Sequence, residues 1–286
     1  MTNKEKKEFS GLLIRRIISY VVLIILSIAC LFSFYILLVN CSRYHADIQK
    51  GFSFLPGKAI VKNFQSLMSD ANLPVFKGIR NSFIVAAATA LLTTYFSSLT
   101  AYAIHAYHFK AKKAIFTFIL MIMMVPSQVS ALGFIQLMRN MNLLNNLIPL
   151  IVPSIAAPIV FFYMKQYMES ALPIEVVEAC RIDGASEFRG FNTIVLPIMK
   201  PAIAVQMIFA FTSSWNNYFI PSLLINEKNM KTLPILIAQL RSADYLKFDM
   251  GEVYMMIAIS IFPVILVYLV LSKNIVQGIA IGSVKG

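Results

Sequence analysis

IISYVVLIILSIACLFSFYILLV, residues Ile17–Val39, decides the fold, because it contains no acid, base or histidine. At about 1.5 Å per residue, a helix of this length crosses the roughly 30 Å hydrocarbon core of a bilayer. Lys4, Lys6, Lys7, Arg15 and Arg16 precede it, which resembles the basic start of a signal peptide. The apolar run is too long for that role and no small-x-small cleavage site follows, so it reads as an uncleaved first span.

Five more stretches share its character: Ser82–Ile104, Ala114–Met138, Leu143–Met164, Ala202–Ile225 and Val253–Leu271. None contains Asp, Glu, Lys, Arg or His. The 286 residues are 58% hydrophobic and 13% charged, where a soluble domain is about 25% charged. Lipid is therefore the expected solvent. The expected fold is an all-α polytopic membrane protein with six transmembrane helices, one domain over residues 1–286.

A narrow majority of the Lys and Arg residues falls on one side if the N-terminal segment 1–16 is cytoplasmic, which puts both termini inside. Lys110, Lys112 and Lys113 crowd one inner loop, whereas the next outer loop holds only Arg139. Residues 40–81 and 226–252 become outer loops, and 169–201 a cytoplasmic one. The formal charge of +12 raises nucleic acid as a partner. The bases flank apolar runs, however, which suits anionic headgroups of a lipid bilayer, so no nucleic acid is expected. Cys30, Cys41 and Cys180 are too few and scattered for a disulfide framework or zinc site.

Several apparent motifs fail on chemistry. GFSFLPGKA (Gly51–Ala59) mimics a phosphate-binding loop, but the glycine spacing is wrong, Ala59 replaces the hydroxyl residue, and Pro56 removes an N–H donor. His105 and His108 share a helix face, yet with no carboxylate or Cys nearby they read as interfacial residues, and no metal site is expected. No nucleophile–base constellation is recognisable, so the chain is not read as an enzyme and no catalytic residue is assigned. Pro126 in span 3, and Pro149, Pro153 and Pro158 in span 4, should kink or partly unwind those helices.

Polarity within the membrane concentrates in SSWNNYFIPS (Ser213–Ser222), where Asn216 and Asn217 flanked by Trp215 and Tyr218 offer hydrogen bonds and ring faces to a sugar. Helix-to-helix hydrogen bonding and interfacial anchoring are the alternative roles. Gln128 beside Pro126 is a further candidate on a pathway. Proton-coupled carriers keep ionisable groups inside the membrane, and these spans have none. A sodium-coupled secondary transporter, holding its ion by carbonyls and hydroxyls, remains an alternative.

The charged stretch EVVEACRIDGAS (Glu175–Ser186) interrupts this pattern. Pro173 suits a first helical turn, Glu175 the positive end of the helix dipole, and Glu178 and Arg181 stand i,i+3 on an exposed face. Asp183-Gly184 stops the helix, with Gly184 fitted to a left-handed position. Ser186 can cap a second helix that ends before Pro197. Two short helices at a sharp corner form a docking knob.

EACRIDGASEFRGFNTIVLP closely resembles the EAA motif of binding-protein-dependent ABC importer permeases, through Glu178, Ala179, Asp183, Gly184, Ala185, Phe191, Leu196 and Pro197. Cys180 departs from the usual Ala. NSFIVAAATA, MMVPSQVSALG, SSWNNYFIPSLL and the tail VQGIAIGSVKG are similar to the carbohydrate (MalG-like) branch. The resemblance implies a bacterial cell-membrane subunit of a sugar importer, paired with a second, MalF-like permease, an ATP-binding cassette ATPase dimer and an extracytoplasmic solute-binding protein. It implies that Glu178, Ala179, Asp183, Gly184, Ala185, Phe191 and Pro197 couple to the ATPase, which binds the ATP and Mg while this chain binds no cofactor. Thr232–Asp249 resembles the outer loop that reaches towards the binding protein, with Leu233, Pro234 and Gln239 as candidate contacts. A solute other than a sugar stays open, since the coupling motif is shared across importers.

Overall fold

Uninterrupted apolar sequence forms long helices here, and proline divides them. The computed structural model describes residues 3–242 and 248–282. Residues 243–247 of the expected outer loop and the last four of the tail lie outside the described residues. The helices are α1 (Asn3–Cys41), α2 (His45–Gln49), α3 (Ile60–Ser69), α4 (Val75–Ala106), α5 (Lys112–Ile122), α6 (Ser127–Asn140), α7 (Ile148–Ile151), α8 (Pro158–Ala171), α9 (Ile174–Ile182), α10 (Glu187–Gly190), α11 (Leu196–Trp215), α12 (Phe219–Leu224), α13 (Leu233–Arg241) and α14 (Met250–Gly282). Strands are absent among the described residues. Five helical stretches are long and apolar enough to cross a membrane, and the chain is an all-α polytopic membrane protein.

The third expected span, Ala114–Met138, is the one that differs. It is two helices, α5 of 11 residues and α6 of 14 residues. Pro126 sits between them with an extended ψ of 129°. Neither half reaches the about 20 residues a crossing needs. Pro126 has no N–H to continue the ladder, and its ring pushes the preceding residue out of helical geometry.

Span 4 breaks in the same way, through a 3₁₀ turn at Val152–Ile155 between α7 and α8. Pro158 lacks the N–H that would have bonded the Ser154 carbonyl. Thr93 of α4 donates its hydroxyl to that carbonyl instead, at 2.7 Å. A backbone acceptor at membrane depth is thus paired from a neighbouring helix.

The chain divides into two compact units, Met1–Ser69 with Ala243–Ile259, and Asp70–Ser242 with Ser260–Gly286. In the first unit, the window of α1 that would cross the membrane buries none of its residues, so its apolar surface faces outward. The unit is held by polar contacts at the end of α1: Asn63 Nδ2 donates to the Cys41 and Arg43 carbonyls, each at 2.9 Å. The phosphate-loop lookalike belongs here. Gly57 N–H donates to Ser42 Oγ at 2.9 Å, and a Cβ on Gly57 would stand 2.5 Å from the Ser42 carbonyl oxygen. The glycine serves close backbone approach.

In the second unit, α4 packs against both α8 and α11. Asn81 and Ser82, opening the expected span 2, tie down the segment before α13: Asn81 Nδ2 donates to the Asn229 and Lys231 carbonyls at 2.9 and 3.1 Å. Ser82 Oγ accepts from the Leu233 N–H at 2.8 Å.

Candidate functional site: an exposed corner on the transmembrane core

The corner at Gly184 is built by backbone chemistry. Helix α9 ends at Ile182, and Gly184 adopts φ +74°, a left-handed conformation in which a Cβ is strained. Ala185 N–H donates back to the Cys180 carbonyl at 3.0 Å, and Gly184 N–H to Arg181 at 3.1 Å. These are the paired 6→1 and 5→2 bonds of a Schellman cap, which satisfy carbonyls the helix end leaves free. Ser186 then caps α10, its Oγ accepting from the Arg189 N–H.

Arg181 does not pair with Glu178. It turns across the corner to Glu187, with Nε 2.6 Å from Oε1. Tyr102 of α4 donates its hydroxyl to the other carboxylate oxygen at 2.9 Å, and the guanidinium lies 5.3 Å from the Tyr107 ring centroid. Arg181, Glu187 and Tyr107 stand outside the six apolar runs, and Tyr102 reaches them from the end of one. The Arg181 hydrogen bond is the largest influence on Glu187 and holds its carboxyl down to about 2, while Glu187 in turn raises Arg181. Burial, then Glu187, push the Tyr107 hydroxyl above its usual range. An exposed pair of this kind is worth about 0.2–1 kcal/mol. Its effect is to fix the angle between α9 and α10.

Apolar packing fastens the corner to the helices. Phe191 is fully buried, with its ring 5.8 Å from Tyr95 and 5.5 Å from Tyr102. Val177 joins the same core with Phe161, Met164, Met168, Val195 and Met199. Each such buried side chain contributes about 1.5–3 kcal/mol. Phe191, one of the expected coupling residues, is an anchor beneath the exposed surface of the corner.

The second helix does not stop before Pro197. It passes through a π-turn at Phe191–Val195 directly into α11, and this wider turn precedes Pro197, which has no N–H to continue the ladder. Asn192 and Thr193 side chains donate to the Phe188 and Arg189 carbonyls at 2.8 and 2.7 Å. Corner and span 5 are one continuous helical stretch, Glu187–Trp215.

The outer face of the corner is open. Glu178, Ala179, Asp183 and Gly184 are exposed and Ala185 half-buried, while Pro197 is exposed further along. Among the described residues, Glu178 has no ion pair. Two large apolar side chains absent from the sequence expectation stand beside it, Ile182 at 86% and Phe188 at 67% exposure. The signal for them was available: each is an apolar residue among charges on a helix facing water.

The candidate pathway residues separate. Trp215 is buried, stacked on Phe211 at 5.7 Å, and its Nε1–H donates to the Ser260 carbonyl at 3.1 Å. Asn216 and Asn217 are exposed in the break between α11 and α12. Trp215, Asn216, Tyr218, Pro234 and Arg241 share a cavity of about 560 Å³. Leu233 also borders it, is fully buried, and seats α13 against α4. Pro234 is half-buried and Gln239 exposed on that helix. Gln128 is exposed in the first turn of α6 and is not among the cavity residues. His105 is structural, its Nε2 lying 3.0 Å from the Leu172 carbonyl.

Residues 94–281 match the family model for the binding-protein-dependent transport system inner membrane component. The chain is 36% identical over 214 residues to the arabinooligosaccharides transport system permease protein AraQ of Bacillus subtilis (strain 168), covering 74% of each chain. It is 29% identical over 276 residues to the trehalose/maltose transport system permease protein MalG of Thermococcus litoralis, covering 96% of this chain and 98% of that one. The lactose transport system permease protein LacG of Rhizobium radiobacter is 28% identical over 94% of this chain and 96% of its own. A crystal structure of a bacterial ABC transporter involved in the import of the acidic polysaccharide alginate shares the fold, with a TM-score of 0.77 at 21% identity over 96% of this chain and 98% of that chain. A six-run apolar chain with this corner, matched over most of its length, belongs to the family of inner-membrane permease components of binding-protein-dependent ABC transport systems.

Proposed function

We propose that this chain is one permease half of an ATP-driven oligosaccharide importer, moved by a separate ATPase through the Glu178–Pro197 corner. The observation that carries this reading is the two-sided build of the corner. Phe191 and Val177 are buried in the transmembrane core, while Glu178, Ala179, Ile182 and Phe188 face outward. A small apolar knob beside the exposed acids Glu178 and Asp183 is what a cleft with a basic residue on another subunit would receive. Because the six apolar runs carry no Asp, Glu, Lys, Arg or His, energy arrives by contact instead of by a proton relay. ATP and Mg belong to the ATPase pair in this account.

The choice of an oligosaccharide follows the names of the relatives, which transport arabinooligosaccharides, lactose and trehalose/maltose. Trp215 acts as a wall of the cavity and not as a hydrogen-bond donor to solute, since its N–H is committed. Asn216, Tyr218 and Arg241 supply the polar side of that cavity. A second, MalF-like permease would complete the pathway. The exposed Gln239 and half-buried Pro234 lie on the helix that would approach the solute-binding protein.

The test is uptake into vesicles. The chain with its partner permease should accumulate an arabino- or malto-oligosaccharide only when the ATPase subunits, ATP and a solute-binding protein are present. Uptake driven by a sodium gradient in their absence would overturn the reading in favour of a carrier. Accumulation of sn-glycerol 3-phosphate instead, the solute named for another relative, would keep the ATPase coupling and overturn the sugar.

A further inference from the structure

We infer that the loop Gly51–Leu55 is a membrane anchor, folded down along α1 into the acyl region of the leaflet opposite the amino terminus. The sequence gives it no such depth, since it lies in a polar segment read as an outer loop. Its contacts with α1 place it. The Phe32 ring lies 5.9 Å from Phe52 and 6.3 Å from Phe54, and the two loop rings meet edge-on at 4.6 Å. Phe32 is seven residues before Val39, where the apolar run ends, or about 10 Å down the helix axis. Tyr35, about 6 Å down on the same scale, donates its hydroxyl to the Phe54 carbonyl.

The loop is also chemically equipped for that position. Irregular backbone in hydrocarbon is costly where its polar groups are unpaired, and this loop pairs part of its own. Here the Phe54 carbonyl takes the Tyr35 hydroxyl, and the Gly51 carbonyl accepts from Arg43 Nη1 at 3.0 Å. Leu55 N–H donates to Ser53 Oγ at 3.1 Å, Ser53 Oγ donates to the Leu55 carbonyl at 3.2 Å, and Pro56 has no N–H to satisfy. The side chains left over are apolar and open: Phe52 is 58%, Phe54 61% and Leu55 76% exposed. Lys50 and Lys58, both exposed, flank the loop where anionic headgroups would lie. The occupant that fits an apolar tip at this depth with a basic collar is phospholipid.

The test labels the wild-type chain, assembled with its partner subunits, in phosphatidylcholine–phosphatidylglycerol vesicles whose acyl chains carry a photoactivatable diazirine. Mass spectrometry should find acyl adducts on Phe52, Phe54 or Leu55 at yields comparable to the outward-facing stretch Leu23–Leu31 of α1. Tyr35→Phe, which unpairs the Phe54 carbonyl, should reduce the loop adducts and leave those of Leu23–Leu31 unchanged. Adducts on α1 but none on the loop would overturn the inference. That holds whether a water-phase footprinting reagent reaches the loop, placing it in solvent, or fails to, placing it under another subunit.

Discussion

Replacing Gly184 isolates the corner from everything else in the protein. Its φ is +74°, and a Cβ built there meets nothing within 4 Å. A substitution therefore costs only backbone strain, with no clash to confuse the result. For alanine the left-handed conformation costs about 1–2 kcal/mol, equivalent to a factor of about 5–30 in the population of the cornered form. That factor is an upper bound on lost function, because the Cys180–Ala185 bond and the Arg181–Glu187 pair still favour the corner. Asparagine tolerates this region better than alanine does. Proline fixes φ near −65° and removes the N–H that reaches the Arg181 carbonyl, so it abolishes the turn. ATP-driven uptake into vesicles, with retention of the ATPase by the purified complex, should fall in the order Gly, Asn, Ala, Pro. Alanine performing as well as glycine, or asparagine worse than alanine, would refute the argument that a left-handed corner is what the ATPase engages.

Two neighbouring phenylalanines separate docking from anchoring: Phe188→Ala should leave thermal stability unchanged and weaken ATPase retention, whereas Phe191→Ala should cost about 3–5 kcal/mol and lower the unfolding midpoint. The pH response of the corner follows from Glu187, whose carboxyl is held down to about 2 by Arg181. Its stabilisation is complete above the ordinary carboxylate range and is lost progressively from there as pH falls to about 2, so hydrogen exchange at the corner, corrected for intrinsic rates, should be flat from about pH 5 to 8. Glu187→Gln should raise that exchange across the same range. Trp215→Phe removes the hydrogen bond to the Ser260 carbonyl, a loss of about 0.5–1.5 kcal/mol that a melting curve would register, with solute selectivity unchanged.

Features set by a residue's own backbone were legible in advance. Asp183-Gly184 announced the corner, Ser186 its second cap, and Pro149, Pro153 and Pro158 the broken span. What composition could not show is where a side chain turns once the chain has folded back. Arg181 lies i,i+3 from Glu178 on α9, and helical spacing favours that pair, but the corner returns Glu187 to within 2.6 Å and captures the guanidinium. Phe191 falls on the family motif, yet a motif does not distinguish a residue that touches a partner from one that holds the touching surface in place. The same blindness separates Trp215 and Asn216 from Pro234, which meet at one cavity only because α13 returns beside the end of α11. Counting apolar residues treated Ala114–Met138 as one span, although Pro126 carried the sign of its division.

The central claim is that transport energy enters through the exposed face of the corner that carries Glu178. Glu178→Lys tests it most directly, since Glu178 is exposed and has no ion pair among the described residues, so the exchange leaves the fold intact. The measurement is ATP-driven solute uptake by the assembled complex, alongside its affinity for the solute-binding protein. Uptake should be lost while that affinity and the melting curve stay at wild-type values. Wild-type uptake with a lysine at position 178 would contradict the account.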